Sequence, residues 1–354
     1  MSIDKYLTSV VNKRVFLTGN TGFKGTWLSH ILNKFSIESM GYSDTPAGLG
    51  RLGYDPGLVL PTKQGNILDL PNLARSMNDF SPQIVIHFAA QSLVQKSYQF
   101  PRETFEVNVI GTYNVLETAL KTNSVETVLI ITSDKVYSPN NSTIYLSEDA
   151  NLGGKDPYSA SKVAAEMATQ IFKSVNNQQN LGVKIITGRA GNVIGGGDQS
   201  ENRLLPDVIN SLILGSDIQL RNPTQVRPWQ HVLEPIFGYL RYIDALYKKI
   251  EVPDVLNFGP NPQDHLSVEN VAKIASMFWN SNGTRIINST TTLAIESKQI
   301  LLNSDLAKKT LNWRPKWDTT QAVKLTVDWW KKYINLNNKN EIFELYENDI
   351  NLFL

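Results

Sequence analysis

VFLTGNTGFKGTWL (Val15 to Leu28) places Gly19, Gly22 and Gly25 three residues apart, between the β-prone run Val15 to Thr18 and an apolar-periodic stretch from Trp27 to Phe35 that reads as a helix. A strand that enters a helix through such a turn asks three things of its glycines. One must accept a backbone conformation without a Cβ, one must let another group approach the main chain closely, and one must let helix and strand pack tightly. The free N–H groups and positive dipole end of the helix then suit a pyrophosphate. The loop therefore predicts a dinucleotide site.

Reading outward, Ser39 to Ser43 is a second strand, and the Gly- and Pro-containing run from Asp44 to Thr62 reads as loop. Strands are predicted within Gln83 to Phe88 and Val125 to Ser133, with helical spacing between them from Asn108 to Lys121. Ser159 to Ser174 reads as helix and Val183 to Arg189 as strand. This alternation predicts an α/β protein: a Rossmann-type, doubly wound parallel sheet joined by right-handed crossovers. After Arg189 the rhythm changes to long loops and then helices, which predicts a smaller, mostly helical C-terminal substrate domain. The expected division is residues 1–188 for the dinucleotide domain, with a returning segment at about 232–260, and residues 189–231 and 261–354 for the second.

The 354 residues are 41% hydrophobic, ample for a large core. A net charge of +1 gives no field that would favour nucleic acid or a membrane surface. The absence of cysteine removes disulfides, thiolate metal sites and cysteine nucleophiles, and no metal site is expected. The N-terminus has no signal-peptide pattern and no apolar run is long enough for a bilayer, so the expectation is a cytoplasmic protein.

In DPYSASK, Tyr158 and Lys162 stand at i and i+4 on one helical face. A phenol is a poor base at neutral pH, and a nearby ammonium is expected to favour its phenolate. Such a pair can take a proton from a hydroxyl while hydride leaves the same carbon. Ser133, at a strand end, is placed to bond the same hydroxyl, and Asn108 to tie a helix to the catalytic region. Asp44, after the second strand, is the candidate for the ribose hydroxyls. No basic residue abuts that strand end, which favours NAD over NADP.

TGNTGFKG, HFAAQ, NVIGT, YSASK and RPWQHV occur in the order and spacing of the extended short-chain dehydrogenase/reductase family, which this chain resembles from about Val15 to Tyr333. TSDK (Thr132 to Lys135) and RAGNVIGGGD are most similar to the family's 4,6-dehydratases that act on CDP-glucose. The resemblance implies a three-stage reaction. C4 is oxidised, water is eliminated across C5 and C6, and the hydride returns to C6, giving a CDP-4-keto-6-deoxy sugar of the kind used for cell-surface polysaccharide. It implies catalytic roles for Tyr158, Lys162, Ser133, Asp134 (acid at the C6 hydroxyl) and Lys135 (base at C5). Cofactor contacts are implied for Gly19, Gly22, Phe23, Gly25, Asp44, Asn66, Ile67, Ala89, Ala90 and Asn108, and substrate contacts for Gln91, Asn192, Arg203 and Arg227. His231 reads as structural, Lys24 is not ranked as catalytic, and a homodimer through the helices following Asn108 and Tyr158 is expected. Asn20, Asn66 and Gln199 depart from the family pattern. Another epimerase or dehydratase of the family is the competing reading. A cofactor-binding regulator without turnover is the reading from a different class, and it would be expected to lack Tyr158 or Lys162.

Overall fold

The computed structural model describes residues 7–44, 59–138, 145–281, 284–288, 301–336 and 341–354. Seven strands form its main sheet: β1 (Val15–Thr18), β2 (Ser39–Ser43), β3 (Thr62–Gln64), β4 (Ile84–His87), β5 (Thr127–Ile131), β6 (Lys184–Ala190) and β7 (Val255–Phe258). Their order is β7-β6-β5-β4-β1-β2-β3, and every neighbouring pair is parallel. The longer helices are α1 (Phe23–Lys34), α2 (Leu70–Phe80), α3 (Gly111–Lys121), α4 (Pro157–Gln178), α5 (Leu204–Leu214), α6 (Leu233–Tyr247), α7 (Val268–Trp279), α8 (Thr319–Tyr333) and α9 (Glu341–Phe353).

The central strands are apolar on both faces, as a doubly covered parallel sheet requires. Val15, Leu17, Ile84, Ile86, Leu129 and Ile131 face a core shared with α1, α6 and the tryptophans of α8. The alternate residues Phe16, Val85, Val128 and Ile130 face a second core with Leu73 and Met77 of α2, Val115 and Leu116 of α3 and Phe172 of α4. The strand order reverses between β1 and β4, whose last residues, Thr18 and His87, are level. A crevice opens at the carboxyl ends of strands at such a reversal. The glycine loop lies at this point.

Helix starts follow local chemistry. Asp156 caps α4 by accepting from Ser159 N at 2.8 Å, with Pro157 in the first turn, and this fixes where Tyr158 begins its helix. Asp69, Ser267 and Asp318 cap α2, α7 and α8 in the same way.

Three expectations shift. The first helix begins at Phe23, four residues before the apolar periodicity, because the glycine loop itself runs into its first turn. Asn108 lies in a π-helical turn, Glu106–Ile110, that precedes α3. The run read as loop ends in β3, while its residues 45–58 lie outside the described residues. The return of Val255–Phe258 to the sheet is as expected. Among the described residues no helix is long and apolar enough to cross a membrane.

Candidate active site

Each glycine of the loop has its own physical reason. Gly19 has φ +73°, and a Cβ there would meet Ala89 N at 2.7 Å, where the loop crosses the end of β4. A Cβ on Gly25 would meet the Gly19 carbonyl oxygen at 2.0 Å. A Cβ on Gly22 would meet the protein only at 3.4 Å, again at Gly19 O. Packing therefore demands glycine at 19 and 25. At 22 the space is open, and the N–H groups of the first turn of α1 lie beside it. That cradle fits a pyrophosphate.

A cavity of about 460 Å³ extends from this loop. It brings together Gly19, Gly22, Phe23, Gly25, Ala90, Ser133, Asp134, Lys135, Tyr158, Lys162, Asn192, Arg203 and Arg227 of the predicted set. Ser133, Asp134 and Lys135 follow β5 directly, and Tyr158 and Lys162 project from the first turns of α4.

Ser133 donates to Asp134 Oδ1 at 3.0 Å and lines the cavity with Tyr158. Burial pushes the Tyr158 phenol above its usual range, with Ser133 and the Arg203 charge opposing. This corrects the expectation that Lys162 would dominate. Burial outweighs the favourable charges, and it also pushes the Lys162 ammonium down to about 8. Lys162 Nζ sits 3.4 Å from the Ile131 carbonyl. Burial raises Asp134 as well, against the opposing pull of Lys135, Ser133, Arg227 and Lys24. Asp134 Oδ2 is buried with no hydrogen-bond partner. A carboxyl so placed favours its protonated, donating form.

The structure adds Lys24 to the wall. Its ammonium end is deep, and desolvation together with Arg203 and Lys162 pushes it down to about 7. No spacing rule reveals which way a side chain in a first helical turn points. Also unforeseen is the support beneath the site. Arg189 on β6 and Glu166 on α4 form a buried ion pair, with Arg189 Nε donating to Glu166 Oε1 at 2.8 Å. Thr132, beside Ser133, donates to the same oxygen at 2.6 Å. The pair thus pins the helix of Tyr158 to the strand end of Ser133.

Two predicted contacts are turned inward instead. Asn108 accepts from Gln91 N at 2.8 Å and donates to Gln91 O and Ser161 Oγ, both at 2.9 Å. Both its amide protons are thereby used, so it ties the loop after β4 to α4 rather than facing the cavity. Gln91 donates to Thr104 Oγ1 and Leu93 O and accepts from Leu93 N, which spends its side chain on its own loop. Asp44, exposed at the end of β2, lies 3.4 Å from Asn66 Nδ2, while Asn66 Oδ1 accepts from Leu68 N at 2.8 Å. Ile67 is buried beneath Gly111. Ala89 backs the glycine loop. Asn20 fills the space over Gly41 and donates to Thr62 Oγ1 at 2.8 Å, joining the loop to β3.

Arg203 holds Ser92 Oγ at 3.0 Å, and buried Arg227 donates to Val226 O at 2.9 Å and to Gln225 Oε1 at 2.8 Å. Two guanidinium groups on one wall suit a diphosphate. His231 is buried edge-on against Trp27 and Trp317, with its ring held neutral by burial, in keeping with a packing role.

The sequence profile of the NAD dependent epimerase/dehydratase family matches residues 15–259. A CDP-glucose 4,6-dehydratase of Salmonella typhimurium is 36% identical over 91% of this chain and 91% of that protein. Among solved structures, a UDP-glucose 4-epimerase of Thermotoga maritima superposes with a TM-score of 0.79 at 20% identity, covering 91% of this chain and all of that one. A dTDP-glucose 4,6-dehydratase of Streptomyces venezuelae with NAD and TYD bound gives 0.76 at 21% identity, covering 90% and 97%. The fold, the glycine cradle and these matches together show that the chain belongs to the NAD dependent epimerase/dehydratase family and is an enzyme that uses NAD.

Proposed function

We propose that this chain is a nucleotide-sugar 4,6-dehydratase that converts CDP-glucose to CDP-4-keto-6-deoxyglucose. The observation that carries the reading is Asp134, a buried carboxyl biased toward protonation in the same cavity as Tyr158 and Lys162. A 4-epimerase has no water to eliminate and needs no such acid. The relative from Salmonella supports CDP as the nucleotide.

The cofactor is held by the glycine cradle, with Phe23 and Ala90 on the wall and Asp44 and Asn66 toward the adenosine end. Bound NAD supplies the hydride acceptor for C4, the donor that returns hydride to C6, and a positive ring that favours the Tyr158 phenolate. Tyr158, with Ser133 in the same cavity wall, takes the proton of the C4 hydroxyl. The resulting ketone acidifies C5, and Lys135 removes that proton. Asp134 protonates the C6 hydroxyl, which leaves as water. As hydride reaches C6, the proton held by Lys135 returns to C5. Arg203 and Arg227 grip the diphosphate, with Asn192 beside them. Lys24 is a second candidate for the C5 base, since burial pushes its ammonium down to about 7.

The reading extends to a homodimer. Tyr113 on α3, Met167 and Ile171 on α4, and Phe105 and Ile110 in the turns just before α3 expose apolar side chains on neighbouring elements, the face a second copy would cover.

Incubation with CDP-, dTDP-, UDP- and GDP-glucose side by side tests the function. The expected result is a 4-keto-6-deoxy product, seen by its absorbance in alkali, from CDP-glucose foremost and without net NADH. No such product from any of the four would refute the reading.

A further inference from the structure

His87 closes β4 level with Thr18 at the end of β1, and the reaction above uses neither side chain. Thr18 Oγ1 lies 2.7 Å from His87 Nδ1, and His87 Nε2 lies 3.0 Å from Thr112 Oγ1 on α3. Thr112 spends its single hydroxyl proton on the Asn108 carbonyl oxygen at 2.7 Å. Toward His87 it can then only accept, so the ring carries its proton on Nε2 and leaves Nδ1 as an acceptor. The Thr18 hydroxyl therefore donates to Nδ1, and its oxygen accepts from Ala89 N at 3.3 Å. Asn108 continues the line by donating to Ser161 Oγ at 2.9 Å, and Ser161 donates to the Tyr158 carbonyl oxygen at 2.7 Å. One row of hydrogen bonds thus runs from the strand end beside Gly19 to the first turn of α4. Thr18, His87, Thr112, Asn108 and Ser161 are all buried. Burial, with Lys162 adding to it, pushes the His87 ring down to about 3, which keeps it neutral.

We propose that His87, fixed as its Nε2–H tautomer, is a positioning residue that joins the dinucleotide loop to the helix of Tyr158. A buried imidazole is costly unless both nitrogens are paired, and an apolar side chain would fill a strand end in this core without that demand. What the imidazole adds is direction, an acceptor on one edge and a donor on the other. On the Thr18 side it fixes the residue before Gly19 and, through Ala89 N, the strand end that Gly19 crosses. On the Thr112 side it fixes the turn of Asn108, whose side chain holds the Gln91 main chain and Ser161. The inference rests on the reading of Tyr158 as the base at the C4 hydroxyl. The cofactor and that phenol must then meet one sugar carbon together, and a small error in their separation is expensive in rate.

Two variants of the full-length enzyme, Thr18→Val and Thr112→Val, cut the row on either side of the ring. Each keeps the shape of its side chain and strands one ring nitrogen, so each is expected to lower Tm. A packing role predicts nothing further. Positioning predicts a split between the two. In Thr18→Val the Kd for NAD, titrated by calorimetry, is expected to rise about tenfold. In Thr112→Val the kcat with CDP-glucose is expected to fall about tenfold or more, with KM and the Kd for NAD little changed. In the wild type, NMR of nitrogen-labelled histidine reads the ring directly, and the expected His87 signature is a protonated Nε2 and a bare Nδ1. A protonated Nδ1 would overturn the inference, as would wild-type NAD affinity in Thr18→Val or wild-type kcat in Thr112→Val. A wild-type enzyme that binds NAD and shows the expected ring signature, yet forms no 4-keto-6-deoxy product, would instead defeat the dehydratase reading.

Discussion

The three loop glycines allow packing and ligand approach to be separated by two alanine substitutions. In Gly25→Ala the new Cβ would lie 2.0 Å from the Gly19 carbonyl oxygen, far inside the 3.4 Å at which ordinary contact begins, and both atoms belong to backbone that the sheet and α1 hold in place. Overpacking of this kind costs ~1–3 kcal/mol, partly offset by the ~0.5–1 kcal/mol that alanine gains over glycine inside a helix. At ~2.1 cal/mol/K per residue, a chain of this length loses about 1–3 °C in Tm for a net ~1–2 kcal/mol. In Gly22→Ala the nearest protein atom is 3.4 Å away, so the unliganded Tm should stay within about 1 °C of wild type. The added methyl instead occupies space that a pyrophosphate needs, and NAD affinity should fall at least ~10-fold, or ~1.4 kcal/mol. Thermal shift with and without NAD, with calorimetric titration of NAD, reads both quantities. A Gly25→Ala protein with wild-type Tm, or a Gly22→Ala protein that binds NAD as tightly as wild type, would refute the assignment of these glycines.

Four further outcomes follow from the same geometry. Tyr158→Phe should lower kcat by ~10²-fold or more while NAD and CDP-glucose still bind, as measured by steady-state kinetics and titration. Glu166→Gln removes the charge that pairs with buried Arg189, which should cost ~3–5 kcal/mol and lower Tm by ~4–7 °C in a chain of this length, read by calorimetry. His30 is stacked on Tyr346 with centroids 4.0 Å apart, and burial pushes it down to about 3 from 6.5. It stays neutral when folded, so its stabilising effect is fully present above pH 6.5 and is lost as pH falls toward 3. Compared with His30→Phe, wild type should lose ~2 kcal/mol of unfolding free energy between pH 7.5 and 5, and parallel pH curves would contradict this. Lys135→Met should abolish solvent exchange at C5 and Lys24→Met should retain it, as followed by NMR; the reverse pattern transfers the base role to Lys24.

Much of this architecture is legible in the sequence because its signals are local. The glycine loop announces itself by the strand before it and the helix after it, and Tyr158 and Lys162 by their spacing within one helix. Val255–Phe258 reads as a late strand that could return to the sheet, and it pairs with β6. β3 escapes such reading because it is three residues long, polar and partly exposed, and is held by pairing to Gly41–Ser43 rather than by apolar pattern. Asn108 and Gln91 stand at motif positions, yet the Asn108 side chain is committed to the Gln91 main chain and Ser161, and the Gln91 side chain to Thr104 and Leu93. A motif gives a residue's address but not the direction of its side chain. Lys24 shows the converse. Its place in the site comes from burial and from which charges surround it, and those depend on chain segments far apart in sequence. The same holds for the Tyr158 phenol, where the net effect of burial against nearby charge is a property of the assembled cavity.

The central claim is that one sugar's hydride leaves C4 and returns to C6 of the same molecule within this cavity. CDP-glucose carrying deuterium at C4, incubated with the enzyme and followed by NMR and mass spectrometry, tests that claim directly. The account predicts CDP-4-keto-6-deoxyglucose with the deuterium at C6, no label in solvent, and no net accumulation of reduced cofactor. Deuterium found in free NADH, or restored to C4 of an epimerised sugar with C6 still hydroxylated, would contradict it.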